Sequence, residues 1–240
     1  MVLVTAAAVT WHDVEHGAYE ADLPLWRELA EAAGGPVLDL GAGTGRVAAE
    51  LAARGHDVVA LDSDPELLAA LAERAPRVTT VTADARDFDL TTSFALVLAP
   101  MQLLHIVGGH DGRLAMLRRA YAHLEAGGMF AAALAEPLDA VSADDPVPPL
   151  PDMLESDGWV FSSQPVSVEE RNGCVVVARR RQAVSPTGGL EEELVQIALD
   201  LVTVEELRAE LEAVGFVDVS SREVPETPDH IGSTVIVCRR

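Results

Sequence analysis

The chain has 240 residues, 49% hydrophobic and 23% charged, which is typical of a globular protein with one large domain or one domain plus a cap. All 17 of its basic residues are arginine, so chemistry that needs a lysine, such as a Schiff base, a protein kinase or a P-loop, is excluded. The formal net charge of −22 repels phosphate backbones and argues against nucleic acid as the main partner.

The cysteines and the apolar runs restrict the setting of the protein. Cys174 and Cys238 are far apart and form no CxxC motif, so the sequence predicts neither a disulfide framework nor a zinc site. No apolar run has the length needed to span a bilayer. We therefore expect a cytoplasmic protein without a membrane partner.

The first predicted elements are two helices. Thr10 and Asp13 have the spacing of a capping box, and Asp22 with Pro24 is typical of the start of a second helix. That helix is expected to end at the Gly-Gly-Pro of residues 34–36. Residues 1–34 are therefore predicted to form an N-terminal helical lid.

After Pro36 short apolar strands alternate with helices, which is typical of βαβ units and a parallel sheet. The predicted strands cover residues 37–40, 58–61, 78–82, 94–99 and 129–135. The predicted helices cover residues 45–53, 65–75 and 112–124. Residues 35–136 are therefore predicted to form an α/β core.

The rest of the chain divides into an insertion and a closing segment. Residues 137–157 are rich in proline and aspartate and are predicted to be a loop or lid. Alternating segments at 159–164, 166–170, 174–184 and 190–199 predict a small antiparallel layer, so residues 137–200 form the insertion. Arg179, Arg180 and Arg181 are either a solvated strand end or an anion site. Residues 201–240 are predicted to contain a helix capped by Thr203 and Glu206 and two strands, 216–224 and 234–238.

A glycine-rich turn follows the first predicted strand. In the segment 37–46, Gly41 and Gly43 let the backbone turn sharply and approach a ligand, because a Cβ at either position would occupy the ligand's space. A plain tight turn is the alternative. Asp62 and Asp84 follow the next two strands, and parallel strands end at one edge of a sheet, where such folds bind ligands. The alternative for these two acids is that they cap loops.

This order of glycine loop and two acids resembles the class I S-adenosylmethionine-dependent methyltransferases of the small-molecule type. The resemblance is strong over residues 37–135 and extends in outline to 203–238. It implies a doubly wound α/β fold with a mostly parallel seven-stranded sheet, with the antiparallel β insertion as a cap. It also implies S-adenosyl-L-methionine as the cofactor.

The same resemblance implies a set of cofactor-binding residues. Asp39 would hold the ammonium group, Asp62 the ribose hydroxyls and Asp84 the adenine amino group, while Tyr19 on the N-terminal helix would contact the carboxylate. The full implied set is Tyr19, Asp39, Gly41, Ala42, Gly43, Asp62, Ser63, Asp84, Ala85, Pro100 and Met101. For Tyr19, as for Trp11, a simple packing role is the alternative.

Acceptor and catalytic residues are harder to predict, because the sulfonium is already activated and transfer depends chiefly on position. The catalytic candidates are His105, which follows the fourth strand, and Glu136, which ends the fifth. A surface histidine and an ordinary polar strand end are the alternatives. The substrate candidates are Trp11, His12, His16, Gln102 and His230. His12 and His16 share a helix face, but the spacing offers no third ligand, so no metal is predicted.

The sequence thus predicts an enzyme that transfers a methyl group to nitrogen or oxygen of a small molecule, by positioning rather than with a dedicated base. One alternative is a non-catalytic partner or sensor of the same fold. Another is an NAD-dependent oxidoreductase, which the sequence disfavours because Arg46 replaces the third glycine and Asp39 would repel a pyrophosphate. A homodimer through the β insertion is also expected.

Overall fold

The computed structural model describes residues 8–135, 150–227 and 231–240. Two of the predicted site residues, Glu136 and His230, and most of the predicted loop after strand five lie outside the described residues. None of the described helices is long and apolar enough to cross a membrane.

A seven-stranded sheet forms the centre of the fold, in the order β10-β11-β5-β4-β1-β2-β3. Only β11 runs antiparallel to its neighbours, which confirms the predicted fold class. The strands are β1 (Val37–Leu40), β2 (Val58–Asp62), β3 (Thr79–Thr82), β4 (Phe94–Ala99), β5 (Leu124–Ala135), β10 (Val217–Val224) and β11 (Ser233–Arg239). β1 and β4 are buried along their whole length, which explains why all of their residues except Asp39 of β1 are apolar.

Seven helices are described: α1 (Ala8–His16), α2 (Leu23–Ala33), α3 (Arg46–Ala53), α4 (Pro65–Arg74), α5 (Leu103–Ile106), α6 (Gly109–His123) and α7 (Val204–Val214). The capping box of Thr203 and Glu206 is confirmed. The cap at Thr10 is wrong, because α1 begins at Ala8 and includes Thr10. The side chain of Asp22 does not cap α2, since it binds Arg46 and Trp26 instead. The short helix α5 was not predicted.

A second, antiparallel sheet has the order β6-β7-β8-β9. Its strands are β6 (Asp152–Ser156), β7 (Trp159–Arg171), β8 (Cys174–Val184) and β9 (Leu190–Asp200). The prediction of a loop was wrong for β6, and the two short strands predicted between 159 and 170 are one strand with an irregularity between Pro165 and Ser167. β6 is an edge strand with polar residues at its ends and only partial burial, so its sequence lacks a clear alternation.

Helices cover both faces of the central sheet. One buried cluster includes Trp26 of α2 and Leu51 of α3, and the other includes Met116 of α6 and Leu207 of α7. The carboxyl ends of β1, β2, β4 and β5 are left at one edge, below α1 and the antiparallel sheet. The functional site is built at this edge.

Candidate cofactor and acceptor site

The glycine loop joins β1 to α3 through three glycines with left-handed backbone angles. Gly41, Gly43 and Gly45 have φ values of +67°, +55° and +93°, which residues with a Cβ seldom adopt. Space is limited as well, because a Cβ on Gly43 would lie 2.2 Å from Nε2 of His12. His12 therefore lies directly against the loop, and its Nδ1 is 3.1 Å from Oγ1 of Thr44.

Asp62 ends β2 and is held by backbone amides. Its Oδ2 accepts from the Gly43 amide at 2.8 Å, and its Oδ1 accepts from the Asp64 amide at 2.9 Å. A carboxylate oxygen can accept a second hydrogen bond. Asp62 is thus oriented by the loop and still able to accept from two hydroxyls.

Asp84 follows β3 at the outer end of the same edge. Its carboxylate binds Arg86, with Nε of Arg86 2.9 Å from Oδ1, and this pairing lowers the pKa of Asp84. Both side chains are largely exposed, so the pair can open without the loss of a buried contact. Asp84 is therefore ionised and can accept from an amino group.

Asp39 is the most unusual group at the site. Its side chain is buried, and neither carboxylate oxygen forms a hydrogen bond of ordinary geometry among the described residues. Burial raises its pKa to about 7, although the Arg46 charge and the nearby backbone amide of Ala48 act in the opposite direction. Because an unpaired buried carboxylate is costly, this environment suits a cationic ligand group that would pair with it.

A cavity of about 370 Å³ lies along this edge. Seven of the predicted cofactor residues line it: Gly41, Asp62, Ser63, Asp84, Ala85, Pro100 and Met101. Asp39, Ala42 and Gly43 belong to the loop or to β1 but do not line the cavity. Residues that the sequence reasoning missed include Leu67, Arg86, Leu103 and Ile197.

A second cavity, of about 550 Å³, lies between α1, the end of β5 and the antiparallel sheet. Its walls are apolar at Val177, Val195 and Leu199 and polar at Tyr19 and Ser233. The two cavities have four lining residues in common, His16, Met101, Gln102 and Ile197. The cavities are therefore adjacent, and these four residues form a wall common to both.

Tyr19 lines the second cavity and not the first, so it lies apart from Asp62 and Asp84. The guanidinium of Arg46 lies 5.0 Å from the centre of its ring, and Arg46 also pairs with the buried Asp22 at 2.6 Å. Burial raises the pKa of the Tyr19 phenol. Tyr19 is consequently a neutral hydrogen-bonding group beside a fixed positive charge.

α1 connects the core to the antiparallel sheet. On the core side, Asp13 accepts from Thr44 and pairs with Arg74 at 2.7 Å. On the sheet side, Trp11 packs edge to face on Phe161, with ring centres 5.7 Å apart. Trp11 lines neither cavity, so its placement agrees with the packing alternative rather than with substrate contact.

The interpretation of the arginine run as a solvated strand end was wrong for two of its three members. Arg179 and Arg181 point from β8 into the second cavity, whereas Arg180 is exposed. Arg181 donates to both oxygens of Glu15, at 2.7 and 2.9 Å, and Arg179 pairs with Asp152. Alternation along β8 was the signal that could have separated these side chains.

The catalytic role predicted for His105 does not agree with its placement. His105 is 1% exposed and lines neither cavity. Its Nδ1 is 2.8 Å from the carbonyl oxygen of Asp200, and its Nε2 accepts from the Ala135 amide at 3.3 Å. Both ring nitrogens therefore join the two ends of the insertion, where β5 ends and where β9 ends.

His12 lines the first cavity, and His16 and Gln102 line both. Burial lowers the pKa of His12, with the Asp13 charge opposing it. Among the described residues no group of three or more His, Cys, Asp or Glu side chains could hold a metal ion.

The comparisons with known proteins agree with this geometry. Residues 37–128 match the family model described as a methyltransferase domain. An uncharacterized methyltransferase of Mycobacterium tuberculosis is 36% identical over 96 residues, which are 38% of this chain and 40% of that protein. The chain thus matches well under half the length of this curated relative.

Two solved structures are similar over nearly the whole chain. An S-adenosylmethionine-bound amino pentose methyltransferase from Micromonospora echinaspora superposes with a TM-score of 0.75 at 20% identity, covering 96% of both chains. The 1,6-didemethyltoxoflavin-N1-methyltransferase of Burkholderia thailandensis has a TM-score of 0.59 at 25% identity, covering 96% of this chain and 84% of that one.

Proposed function

We propose that this chain, which belongs to the class I S-adenosylmethionine-dependent methyltransferases, transfers a methyl group from that cofactor to nitrogen or oxygen of a small molecule. The class predicted from the glycine loop and the two following acids is confirmed by the domain match over residues 37–128. The acceptor type and the roles of individual residues are proposals.

One observation supports the transfer most strongly, namely two adjacent cavities with a common wall. The first is lined by the groups that suit the cofactor, and the second offers space for an acceptor. When bound, the cofactor supplies a methyl group on a positively charged sulfur, which is an activated leaving group. An acceptor in the second cavity would present its lone pair to that methyl carbon, and the electron pair of the carbon–sulfur bond would remain on sulfur.

The residues of the first cavity suit the chemical groups of this cofactor. Asp62 would accept from the ribose hydroxyls and Asp84 from the adenine amino group, after Arg86 moves aside. Asp39 lies on β1 behind the glycine loop rather than on the cavity wall, and its buried carboxylate, which forms no hydrogen bond of ordinary geometry among the described residues, would favour the positive charge of the ammonium group. The apolar wall near Leu103 and Ile106 would exclude water from the reacting atoms.

The second cavity supports a small molecule as the acceptor. Its volume of about 550 Å³ lies within the range of about 300–1,000 Å³ common for small-molecule sites. Its charges are largely paired within the protein, as in Arg181 with Glu15 and Arg179 with Asp152. The net charge of −22 supports the same preference over nucleic acid.

The alternatives receive less support. A non-catalytic binding protein would need no acceptor space beside the cofactor cavity. An oxidoreductase would need a helix start open to a pyrophosphate, whereas Arg46 at the start of α3 is engaged by Asp22.

We also propose a homodimer through the antiparallel sheet, since β9 is an edge strand whose Leu190 and Leu194 are 59% and 64% exposed. We also propose a cytoplasmic location, and boundaries after residues 34, 136 and 200 between the lid, the core, the insertion and the closing segment.

Isothermal calorimetry with S-adenosylmethionine and S-adenosylhomocysteine tests the cofactor assignment. A screen of small amines and alcohols, with S-adenosylhomocysteine formation as the readout, then tests transfer. Tight NAD binding, or no binding of either adenosyl compound, would contradict the proposal.

A further inference from the structure

His16 occupies the wall between the two cavities. It lies at the end of α1 and is one of the four residues that line both cavities, with Met101, Gln102 and Ile197. If the proposed function holds, the methyl group crosses from the first cavity to the second, so these side chains surround its path.

The hydrogen bonding of His16 defines which ring nitrogen carries the proton. Its Nδ1 lies 3.1 Å from the carbonyl oxygen of His12. A carbonyl oxygen only accepts, so Nδ1 must donate, and in a neutral imidazole Nε2 then has a lone pair. Among the described parts of the chain, no hydrogen bond uses Nε2 of His16.

Burial is the main reason why this ring is neutral. Burial lowers the pKa of His16 to about 4, and the charges of His12 and of Arg179 act in the same direction, while Glu15 opposes them. A sulfonium in the adjacent cavity would disfavour the imidazolium further. Nε2 is therefore an acceptor throughout the neutral pH range.

None of the other three residues of the common wall has a hydrogen-bond acceptor that is fixed in this way. The side chains of Met101 and Ile197 offer no strong acceptor, and the amide of Gln102 can present either its oxygen or its nitrogen. Only His16 combines a place on this wall with a nitrogen whose donor or acceptor state is set by a neighbouring backbone group.

We propose that Nε2 of His16 accepts a hydrogen bond from the methyl acceptor and turns the acceptor's lone pair toward the transferred methyl group. For a neutral amine, the nitrogen lone pair becomes the new N–C bond, and the carbon–sulfur pair remains on sulfur. The N–H proton stays on the product ammonium and is lost to water afterwards. Such a site selects acceptors that carry at least one N–H or O–H.

Sinefungin is a suitable probe, because it is a cofactor analogue with an amine in place of the sulfonium methyl. Its ammonium can donate to Nε2 of His16, whereas S-adenosylhomocysteine has no group there. In calorimetry, His16→Phe should weaken sinefungin binding about tenfold or more. The affinity for S-adenosylhomocysteine should change less than about twofold. His56→Phe, a matched change just before β2 at the opposite end of the strand, should leave both affinities unchanged.

Nitrogen NMR of the native protein, with labelled histidine, provides a readout that does not depend on the variant. His16 should be neutral with its proton on Nδ1 between pH 6 and 8, and its Nε2 resonance should shift with sinefungin but not with S-adenosylhomocysteine. The role of His16 would be overturned by a proton on Nε2 or by an Nε2 resonance that sinefungin does not shift. It would also be overturned if the native protein and His16→Phe preferred sinefungin over S-adenosylhomocysteine by the same factor. If His16→Phe loses both ligands, the native NMR decides. If the native protein binds neither, the proposed function itself fails.

Discussion

Asp39 offers the sharpest test of the cofactor site, because its carboxylate is buried without a hydrogen bond of ordinary geometry among the described residues. Its pKa is raised from 3.8 to about 7, and a change of three units corresponds to about 4 kcal/mol. Because the folded-state pKa is the higher one, folding is disfavoured progressively as pH rises from about 4 to about 7. Above pH 7 the full cost is present.

Asp39→Asn removes this cost but leaves a buried amide that costs about 1–3 kcal/mol. We therefore expect the variant without cofactor to be more stable than the native protein at pH 8 by about 1–3 kcal/mol, or roughly 2–10 °C in melting temperature. The advantage should shrink by about 2–3 kcal/mol at pH 5, where the native carboxyl is already protonated in the folded state. Cofactor affinity should fall, since the amide cannot pair with the ammonium group.

Thermal unfolding at pH 5, 6, 7 and 8, together with calorimetry, measures both effects. Asp84→Asn is the matched control, because the pKa of Asp84 is lowered by Arg86 and its side chain is exposed. A stability difference that is the same at pH 5 and pH 8, or a loss of stability in Asp39→Asn at pH 8, would show that Asp39 is not a destabilising buried carboxylate.

Three further predictions concern the ribose contact of Asp62, the mobility of α1 and the role of His105. Asp62→Ala should weaken the binding of S-adenosylmethionine and S-adenosylhomocysteine by about 10- to 100-fold, through loss of roughly 1.5–3 kcal/mol. Asp57→Ala, at the other end of β2, is the control and should show unchanged affinities in calorimetry. Equal affinities in the two variants would contradict the ribose contact. Hydrogen exchange of residues 9–27 should slow when S-adenosylhomocysteine is added, and identical exchange would mean that α1 is not a lid. His105→Gln should lower turnover less than about 100-fold, and a loss of three decades with intact cofactor affinity and a rate limb near pH 6.5 would identify a true base.

The cofactor edge could be predicted from the sequence because its signals are local. The turn at Gly41 and Gly43 requires positive φ angles within one loop, and the acids lie at the ends of their own strands, Asp62 as the last residue of β2 and Asp84 two residues after β3. The capping box at Thr203 is likewise contained in four residues. Each of these features depends on neighbours in the chain, so a single sequence contains the whole pattern.

The acceptor side could not be predicted in the same way, since its contacts join distant segments. Arg181 faces inward because its partner Glu15 lies 166 positions earlier, and no local pattern records that pair. His105 follows the fourth strand as a catalytic residue could, but its ring is engaged by Asp200, 95 positions later. Tertiary pairing therefore decided which polar side chains line the cavity.

The two cavities are built on different sheets, so substitutions can change one without the other. The first cavity depends on the ends of β1 and β2, which are fixed by the central sheet. The second cavity depends on side chains of β8 and β9 that belong to a separate sheet, and the ends of the insertion are joined by His105 through Ala135 and Asp200. Substitutions at Val177 or Val195 can thus alter the second cavity, proposed to hold the acceptor, without a contact to the glycine loop. His16 lies at the end of α1, which contacts both the core and the antiparallel sheet. A change of acceptor in the second cavity would therefore affect methyl transfer through His16.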